Sequence, residues 1–203
     1  AFQAAGITIV EGYGLTETSP VLTVSPMEQP RYGSVGHVIP GVTVGIMRLD
    51  DREMLGELSG NDYPSNLTTG EGEIVARGPN IMKGYWHNDE ATKEAIDANG
   101  WYHTGDVGRF DDGYLVITDR IKHMFVSRGG KNIYPGPIEE SFKTVTAIEQ
   151  IIVIGEGREY LTALVVPNED WLRGYAKENG IAFEKLDDLF ADKSVQQFFA
   201  DQF

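Results

Sequence analysis

Residues His103–Glu140 read HTGDVGRFDDGYLVITDRIKHMFVSRGGKNIYPGPIEE and contain the chain's clearest structural signals. Asp106 follows Thr104 and Gly105, which predicts a turn of small residues that exposes one carboxylate. A hairpin comes next, because β-branched and aromatic residues flank the turn residues Asp111–Gly113. The middle of the chain is therefore expected to contain antiparallel β-structure.

The second half of this segment carries charge and a glycine loop. Asp119, Arg120 and Lys122 form a charged cluster directly behind the hairpin. Gly129–Lys131 then predicts a flexible loop ahead of a helix that begins at Pro137. A carboxylate for two sugar hydroxyls, cations for phosphate and a mobile loop together indicate a nucleotide site at a junction between domains.

Upstream, short apolar runs alternate with Gly and Pro turns. Ile7–Val10 predicts a buried strand, and Val42–Met47 and Glu73–Arg77 predict strands of a small antiparallel sheet. The polar segment Asp50–Thr69 predicts an exposed hairpin or loop.

Downstream of the hairpin, strands and helices alternate. His123–Val126 predicts a strand, Ile151–Ile154 and Leu161–Val166 predict two paired strands, and Asn168 is expected to cap a helix. The last apparent helix carries an apolar stripe formed by Val195, Phe198, Phe199 and Phe203. Residues 181–203 are therefore expected to pack on something absent from this chain.

The loop Glu11–Pro20, EGYGLTETSP, contains a second group of candidate binding residues. Its glycines would let the backbone approach a ligand. Thr16 offers a hydroxyl to phosphate, Glu17 offers a carboxylate to Mg²⁺, and Tyr13 offers a flat face to adenine. A plain glycine turn capped by Thr16 would use the same residues, so the residues alone leave both interpretations open.

The composition limits the class of protein. A chain of 203 residues with 41% hydrophobic and 24% charged residues is typical of a soluble globular protein of one or two domains. The absence of cysteine excludes disulfides and fits a cytoplasmic protein. A net charge of −14 argues against a nucleic-acid partner, but it does not exclude ATP or coenzyme A, because a few local groups can hold a phosphate.

The order of these features resembles the adenylate-forming superfamily of acyl-CoA synthetases, luciferases and peptide-synthetase adenylation domains. Further motifs of that family lie upstream in the expected order, at Glu11–Pro20, at Gly33–Gly41 (GSVGHVIPG) and at Gly72–Trp86 (GEIVARGPNIMKGYW). The resemblance implies an α+β fold. Residues 1–118 would form the C-terminal part of the large AMP-binding domain, including a small antiparallel, barrel-like β-subdomain. Residues 119–203 would form a truncated small α+β lid domain.

The resemblance also assigns roles to individual residues. Nucleotide or coenzyme A binding is implied for Glu11, Gly12, Tyr13, Gly14, Thr16, Asp106, Arg120, Lys122, Gly129, Gly130 and Lys131. Asp106 would bind both ribose hydroxyls, and Thr16, Glu17 and Lys122 would act in catalysis. Glu17 would hold Mg²⁺, and Asp119 would be the hinge of the lid. The implied cofactors are ATP or AMP, Mg²⁺ and coenzyme A.

The implied reaction converts a carboxylate and ATP to acyl-AMP and pyrophosphate, and then transfers the acyl group to coenzyme A. The segments IKHMFVSRGGKNIYPGPIEE and LTALVVPNEDWLRGYAKENG are most similar to bacterial long-chain fatty-acid CoA ligases. Three alternatives stay open: a CoA ligase for aryl or shorter acids, an adenylase that loads a carrier protein, and a nucleotide-binding module without activity. The expected partners are small-molecule substrates; peripheral membrane association and oligomeric state are left open.

Two elements of the resembled family are not found. The phosphate loop is expected before Ala1, and the lysine that joins the carboxylate to the α-phosphate is expected beyond Phe203. Lys185 and Lys193 lack the Gly-Lys context of that lysine. We therefore expect the chain to be a fragment that makes no acyl-adenylate by itself.

Overall fold

The structure, a computed structural model, describes residues 6–62 and 65–202. The chain forms two compact units, Ala1–Met124 and Phe125–Phe203. Residues 1–5 of the predicted large-domain portion and Phe203 of the predicted apolar stripe lie outside the described residues. The predicted α+β class is confirmed, since both units combine helices with antiparallel strands.

The first unit is built on a five-stranded antiparallel sheet. Its strands are β4 (Thr43–Met47), β5 (Met54–Ser59), β6 (Gly72–Arg77), β7 (Tyr102–Asp111) and β8 (Tyr114–Arg120). They lie in the order β5-β4-β6-β7-β8, so β5 and β8 are its two edges. The predicted β7–β8 hairpin is confirmed, and its register shifts between Val107 and Gly108.

A smaller antiparallel sheet comes first in the chain. Its strands are β1 (Gly12–Tyr13), β2 (Thr23–Val24) and β3 (His37–Val38). Leu115 of β8 accepts a hydrogen bond from Val35 N and donates one to Gly36 O, both at 2.8 Å. These bonds attach the small sheet to one edge of the large one, and the described residues form no closed barrel.

The side-chain alternation of the central strands explains why this sheet is covered on both faces. Ile46 and Ile74 are fully buried in the main core, together with Leu22, Phe110 and Leu115. The residues next to them in sequence, Met47 and Val75, point to the opposite face and pack against Trp101. The middle of the sheet is therefore packed on both faces, and this packing holds the residues at the strand ends in place.

Helix α1 (Asp89–Ala95) connects β6 to β7. Asn88 caps it, because its Oδ1 accepts a hydrogen bond from Ala91 N at 3.0 Å. After the helix, Asp97 Oδ1 accepts hydrogen bonds from Asn99 N and Trp101 N at 2.9 Å and forms a turn there.

The predicted strand at Ile7–Val10 is wrong. These residues form no strand, and Ile7, Ile9 and Val10 are exposed. A β-branched run becomes a strand only where a neighbouring strand supplies hydrogen bonds and packing, and no described strand lies beside this run.

The second unit contains two hairpins and four helices in its described residues. Its elements are β9 (Phe125–Val126), β10 (Asn132–Ile133), α2 (Pro135–Phe142), β11 (Ile148–Ile154), β12 (Thr162–Pro167), α3 (Glu169–Glu178), α4 (Leu186–Ala191) and α5 (Lys193–Ala200). The pairs β9–β10 and β11–β12 are both antiparallel. Two boundaries differ from expectation: the strand predicted from His123 begins at Phe125, and the helix predicted from Pro137 begins at Pro135.

Helices α3, α4 and α5 share one apolar cluster. Asn168 caps α3 as predicted, with its Oδ1 accepting from Trp171 N at 2.9 Å. Val195 of α5 is buried against α3 and α4, and the Phe198 ring lies 4.4 Å from the Trp171 ring. The stripe on α5 thus has its partner within this chain, contrary to expectation. None of the described helices is long and apolar enough to span a membrane.

Candidate functional site

The loop Glu11–Pro20 is held by its own backbone and by one buried hydroxyl. Leu22 N donates to Tyr13 O at 2.8 Å, and Ser25 N donates to Glu11 O at 2.7 Å. Thr18, which is fully buried, accepts a hydrogen bond from Leu15 N at 2.8 Å. The capping hydroxyl of this turn is therefore that of Thr18, which sequence reasoning missed, and Thr16 keeps an exposed side chain.

Gly14 is required by a close approach within the chain. A Cβ atom at this position would lie 1.7 Å from the carbonyl oxygen of Pro20. At Gly12 the nearest atom to an added Cβ would be Thr23 O at 3.2 Å, a much milder contact. Gly14 therefore lets the loop pack against its own backbone at Pro20. This role does not require a ligand.

The segment that follows β6 fixes the turn at Thr16–Thr18 from outside. Asn80 Nδ2 donates to Thr18 O at 2.8 Å and to Val21 O at 2.9 Å. Met82 N donates to Glu17 O at 2.8 Å, and the Tyr85 hydroxyl donates to Glu17 Oε1 at 3.0 Å. The backbone and one carboxylate oxygen of Glu17 are thus both held. An amide side chain among apolar residues was the only sequence signal for this contact.

Asp106 lies within strand β7 and is 4% exposed. The prediction of an exposed turn aspartate is therefore wrong. The Tyr13 hydroxyl donates to Asp106 Oδ2 at 2.7 Å, and Arg120 Nε lies 3.1 Å from Asp106 Oδ1. A phenol from the first loop and a guanidinium from the end of β8 bury a carboxylate that local sequence would leave in solvent.

Tyr13 keeps its proton at neutral pH. Burial raises the pKa of the Tyr13 phenol above its usual value, and the neighbouring Asp106 carboxylate raises it further. Tyr13 is therefore a permanent hydrogen-bond donor to Asp106. The side chain predicted to stack on adenine has its polar end committed to the residue predicted to bind ribose.

The stretch of β7 before Asp106 is braced by Glu73 of β6. Glu73 Oε1 accepts from Gly105 N at 3.2 Å, and Glu73 Oε2 lies 2.8 Å from His103 Nδ1. The Thr104 hydroxyl donates to Ile74 O at 2.7 Å and accepts from Asp106 N at 3.1 Å. Within the described ranges, no group of three His, Cys, Asp or Glu side chains could hold a metal ion.

His103 gives this brace a pH dependence. The hydrogen bond from His103 to Glu73 raises the pKa of the imidazole, and Asp97 adds to this, whereas burial and Arg52 oppose it. A raised pKa in the folded state gives stability that is fully present below the unfolded pKa of about 6.5 and is lost as pH rises through the folded pKa.

We expect His103→Gln to destabilise the protein by roughly 1 kcal/mol at pH 6, because the charge-assisted contact with Glu73 is lost. The expected loss is small because solvent screens this contact in the wild-type protein. At pH values above the raised folded pKa the two proteins should differ less, because the wild-type imidazole is then uncharged. Thermal unfolding of both proteins at half-unit pH steps measures this. A difference in melting temperature that is constant with pH would contradict it.

The charged residues at the end of β8 take different positions. Asp119 pairs with Val107 across the hairpin, and its Oδ1 accepts from Arg120 N at 2.7 Å and lies 3.4 Å from His123 Nδ1. Lys122 is exposed in the turn that follows β8. The boundary between the compact units follows Met124.

The glycine loop belongs to the second unit, where it forms the turn of the β9–β10 hairpin. Ser127 N donates to Lys131 O and Gly130 N donates to Ser127 O, both at 2.9 Å. Gly130 has a φ of +77°, which favours glycine, and Gly129 and Lys131 are exposed. The first unit holds the remaining predicted site residues: Glu11, Gly12, Tyr13, Gly14, Thr16, Glu17, Asp106, Asp119, Arg120 and Lys122.

Two family models match this chain. The model described as AMP-binding enzyme matches residues 1–86, and the model described as AMP-binding enzyme C-terminal domain matches residues 122–185. The chain belongs to the AMP-binding enzyme family.

Relatives of this AMP-binding enzyme chain include ligases of fatty acids. It is 34% identical over 196 residues to the long-chain-fatty-acid–CoA ligase FadD15 of Mycobacterium bovis, covering 96% of this chain and 29% of that protein. It is 35% identical to the chloroplastic long-chain-fatty-acid–[acyl-carrier-protein] ligase AEE15 of Arabidopsis thaliana, covering 83% of this chain and 23% of that protein. The chain therefore spans less than a third of the length of these relatives.

Solved structures of two bacterial enzymes are also similar. ATP-bound MatB from Rhodopseudomonas palustris is 33% identical with a TM-score of 0.65, covering 80% of this chain and 31% of that one. MenE from Bacillus subtilis, an O-succinylbenzoate coenzyme A synthetase in complex with ATP and magnesium ion, is 28% identical with a TM-score of 0.64. That match covers 87% of this chain and 36% of the MenE chain.

Proposed function

We propose that this chain supplies part of the nucleotide site of an ATP-dependent fatty-acid CoA ligase. Such an enzyme converts a fatty acid and ATP to acyl-AMP and pyrophosphate, and then transfers the acyl group to coenzyme A. The single observation that carries the proposal is the contact of Tyr13, Asp106 and Arg120, which joins three separate sequence motifs at one buried carboxylate. The fatty-acid ligases among its relatives support the substrate class.

Asp106 suits the ribose of ATP. An ionised carboxylate offers about four lone-pair positions, and Tyr13 and Arg120 use two of them. The two that remain match two ribose hydroxyl donors. Arg120 is half exposed at the same place, so it supplies a cation for a ribose or phosphate oxygen.

Thr16 and Glu17 suit the phosphates and Mg²⁺. Thr16 presents an exposed hydroxyl, and Tyr85 fixes one oxygen of the Glu17 carboxylate so that the other is available to a hard cation. Mg²⁺ held there would offset the negative charge that develops on the phosphate oxygens. Glu11, Gly12 and Gly14 shape the backbone around these groups, and Lys122 adds an exposed cation.

The second unit suits coenzyme A. Gly129 and Gly130 give this exposed hairpin turn a stretch without side chains, which would let a pantetheine arm pass beside the cation of Lys131. Transfer of the acyl group to the thiol of coenzyme A would follow in a second pose of the lid.

Asp119 is our candidate for the pivot between those poses. It lies at the end of the last strand of the first unit, and its side chain is 7% exposed. Proline at this position would fix φ near −65°. We expect Asp119→Pro in the full-length enzyme to damage adenylation and thioester formation unequally. Single-turnover assays of each step, beside melting curves, measure this, and equal losses that follow stability would place the pivot elsewhere.

Pyrophosphate–ATP exchange by the full-length protein tests the function. We expect exchange with palmitate, loss of most of it in Glu17→Gln, and palmitoyl-CoA when coenzyme A is added. Succinylbenzoate and malonate serve as comparison acids, because they separate a fatty-acid ligase from enzymes for aryl or short acids. If none of the tested acids supports exchange, the chain would be a nucleotide-binding module without ligase activity.

Loading of a carrier protein is the second candidate function. The 35% identity to an acyl-carrier-protein ligase favours it. The same assay with acyl carrier protein in place of coenzyme A separates the two acceptors. Faster transfer of palmitate to the carrier protein than to coenzyme A would replace the first candidate by the second.

A further inference from the structure

Both carboxylate oxygens of Glu73 are engaged next to Asp106. Oε1 accepts from the backbone of Gly105 at 3.2 Å, and Oε2 contacts His103 at 2.8 Å. The Glu73 side chain is only 15% exposed. One carboxylate therefore holds the residues that precede Asp106 on β7, from a different strand.

Several groups hold the backbone that precedes Asp106, and Glu73 is the one that holds the Gly105 N–H. The Thr104 hydroxyl bonds Ile74 O at 2.7 Å and Asp106 N at 3.1 Å, and Ile121 N donates to Gly105 O at 2.9 Å. Gly105 has a φ of +72°, and an added Cβ there would meet nothing within 4 Å. Gly105 is partly buried, and its N–H needs an acceptor to remain in place. Glu73 supplies that acceptor.

We propose that Glu73 is a positioning residue for nucleotide binding, which sets the angle at which Asp106 meets the ribose hydroxyls. The inference rests on the proposed function, because it needs Asp106 to be the ribose ligand. Glu73 itself touches Gly105 and His103, and acts through them. His103 in turn is held between Glu73 and Asp97, whose Oδ2 lies 3.7 Å from its Nε2, with Arg52 as the nearby cation.

A purely structural role for Glu73 predicts a different result. If Glu73 only stabilised the sheet, its removal would weaken every nucleotide to the same degree. If it aims Asp106, its removal weakens only nucleotides that carry ribose hydroxyls. The ratio of affinities for ATP and 2′,3′-dideoxy-ATP, which lacks both hydroxyls, separates the two roles.

The experiment measures dissociation constants for ATP and 2′,3′-dideoxy-ATP with the full-length enzyme. We expect Glu73→Ala to bind ATP about tenfold more weakly, as for one lost hydrogen bond to a charged group, and dideoxy-ATP as wild type does. Glu73→Gln should restore the wild-type ratio, because its carbonyl oxygen can still accept from Gly105 N. Glu73→Asp keeps the charge but shortens the arm, so its ratio should fall between these.

Two reference variants make the outcomes distinct. Glu57→Ala removes a carboxylate of the same sheet that pairs with exposed Arg77 at 3.5 Å, and it should leave the ratio unchanged. Asp106→Ala should abolish the preference for ATP. Suppose that Asp106→Ala abolishes the preference for ATP, but neither Glu73→Ala nor Glu73→Asp lowers the ratio. The role proposed for Glu73 is then overturned, whereas the ribose assignment of Asp106 stands. If Asp106→Ala leaves the preference intact, the ribose assignment itself has failed, and the inference with it.

Discussion

Gly14→Ala is expected to destabilise the protein by about 3 kcal/mol or more, the upper end of the cost of overpacking. The added methyl carbon would lie 1.7 Å from Pro20 O, and a carbonyl oxygen of the backbone cannot rotate away as a side chain can. The loop Glu11–Pro20 would have to move instead. Thermal unfolding should show a melting temperature lower by roughly 6–12 °C.

Gly12→Ala is the matched control for this effect. It lies two residues away in the same loop, and its added carbon would approach Thr23 O no closer than 3.2 Å. Neither glycine has a positive φ, so the two substitutions differ mainly in this contact. Equal melting temperatures for the two variants would mean that the approach of Gly14 to Pro20 is not a constraint.

Asp106→Asn is expected to weaken ATP binding by at least tenfold in the full-length enzyme. The amide keeps the shape of the side chain but loses the negative charge and half of its acceptor capacity, and hydrogen bonds to charged groups are worth about 1.5–3 kcal/mol each. Asp106→Ala should lose similar affinity and also about 1–3 kcal/mol of stability, because the buried Tyr13 hydroxyl is left without its acceptor.

Isothermal titration with ATP, beside melting curves, measures both effects. Asp111→Asn is the control, since Asp111 lies at the other end of β7 and pairs with Arg31 at 2.6 Å. It should bind ATP as wild type does. Unchanged ATP affinity in a folded Asp106→Asn protein would leave Asp106 as a structural partner of Tyr13 and Arg120 only.

The sequence predicted those features that depend on neighbouring residues. The β7–β8 and β11–β12 pairs and the cap of α3 at Asn168 were found because turn residues and capping side chains act over a few positions. The family and the fold class followed from motifs of the same kind.

The errors concern partners that are distant in the chain. Asp106 was expected in solvent, but it is buried by Tyr13, which lies 93 positions away in sequence. The contacts of Asn80 with the backbone of Thr18 and Val21 were missed for the same reason, since a carbonyl oxygen carries no sequence signal. The stripe on α5 was assigned an external partner because its contact with α3 depends on how the chain folds back.

The register shift in the β7–β8 hairpin decides which charge faces Asp106. Near the turn, Gly108 pairs with Ile117, and continuing that register unchanged would place Asp106 opposite Asp119. The shift instead pairs Val107 with Asp119 and Asp106 with Arg120. Two like charges directly opposite on paired strands repel each other, whereas the observed pair attracts. Thr118 is the extra residue of β8, because it lies between Ile117 and Asp119 and has no partner in the register. It places Arg120 instead of Asp119 opposite Asp106, so that an ion pair replaces an unfavourable pair of carboxylates. A deletion of Thr118 would reverse this without changing a single charged residue.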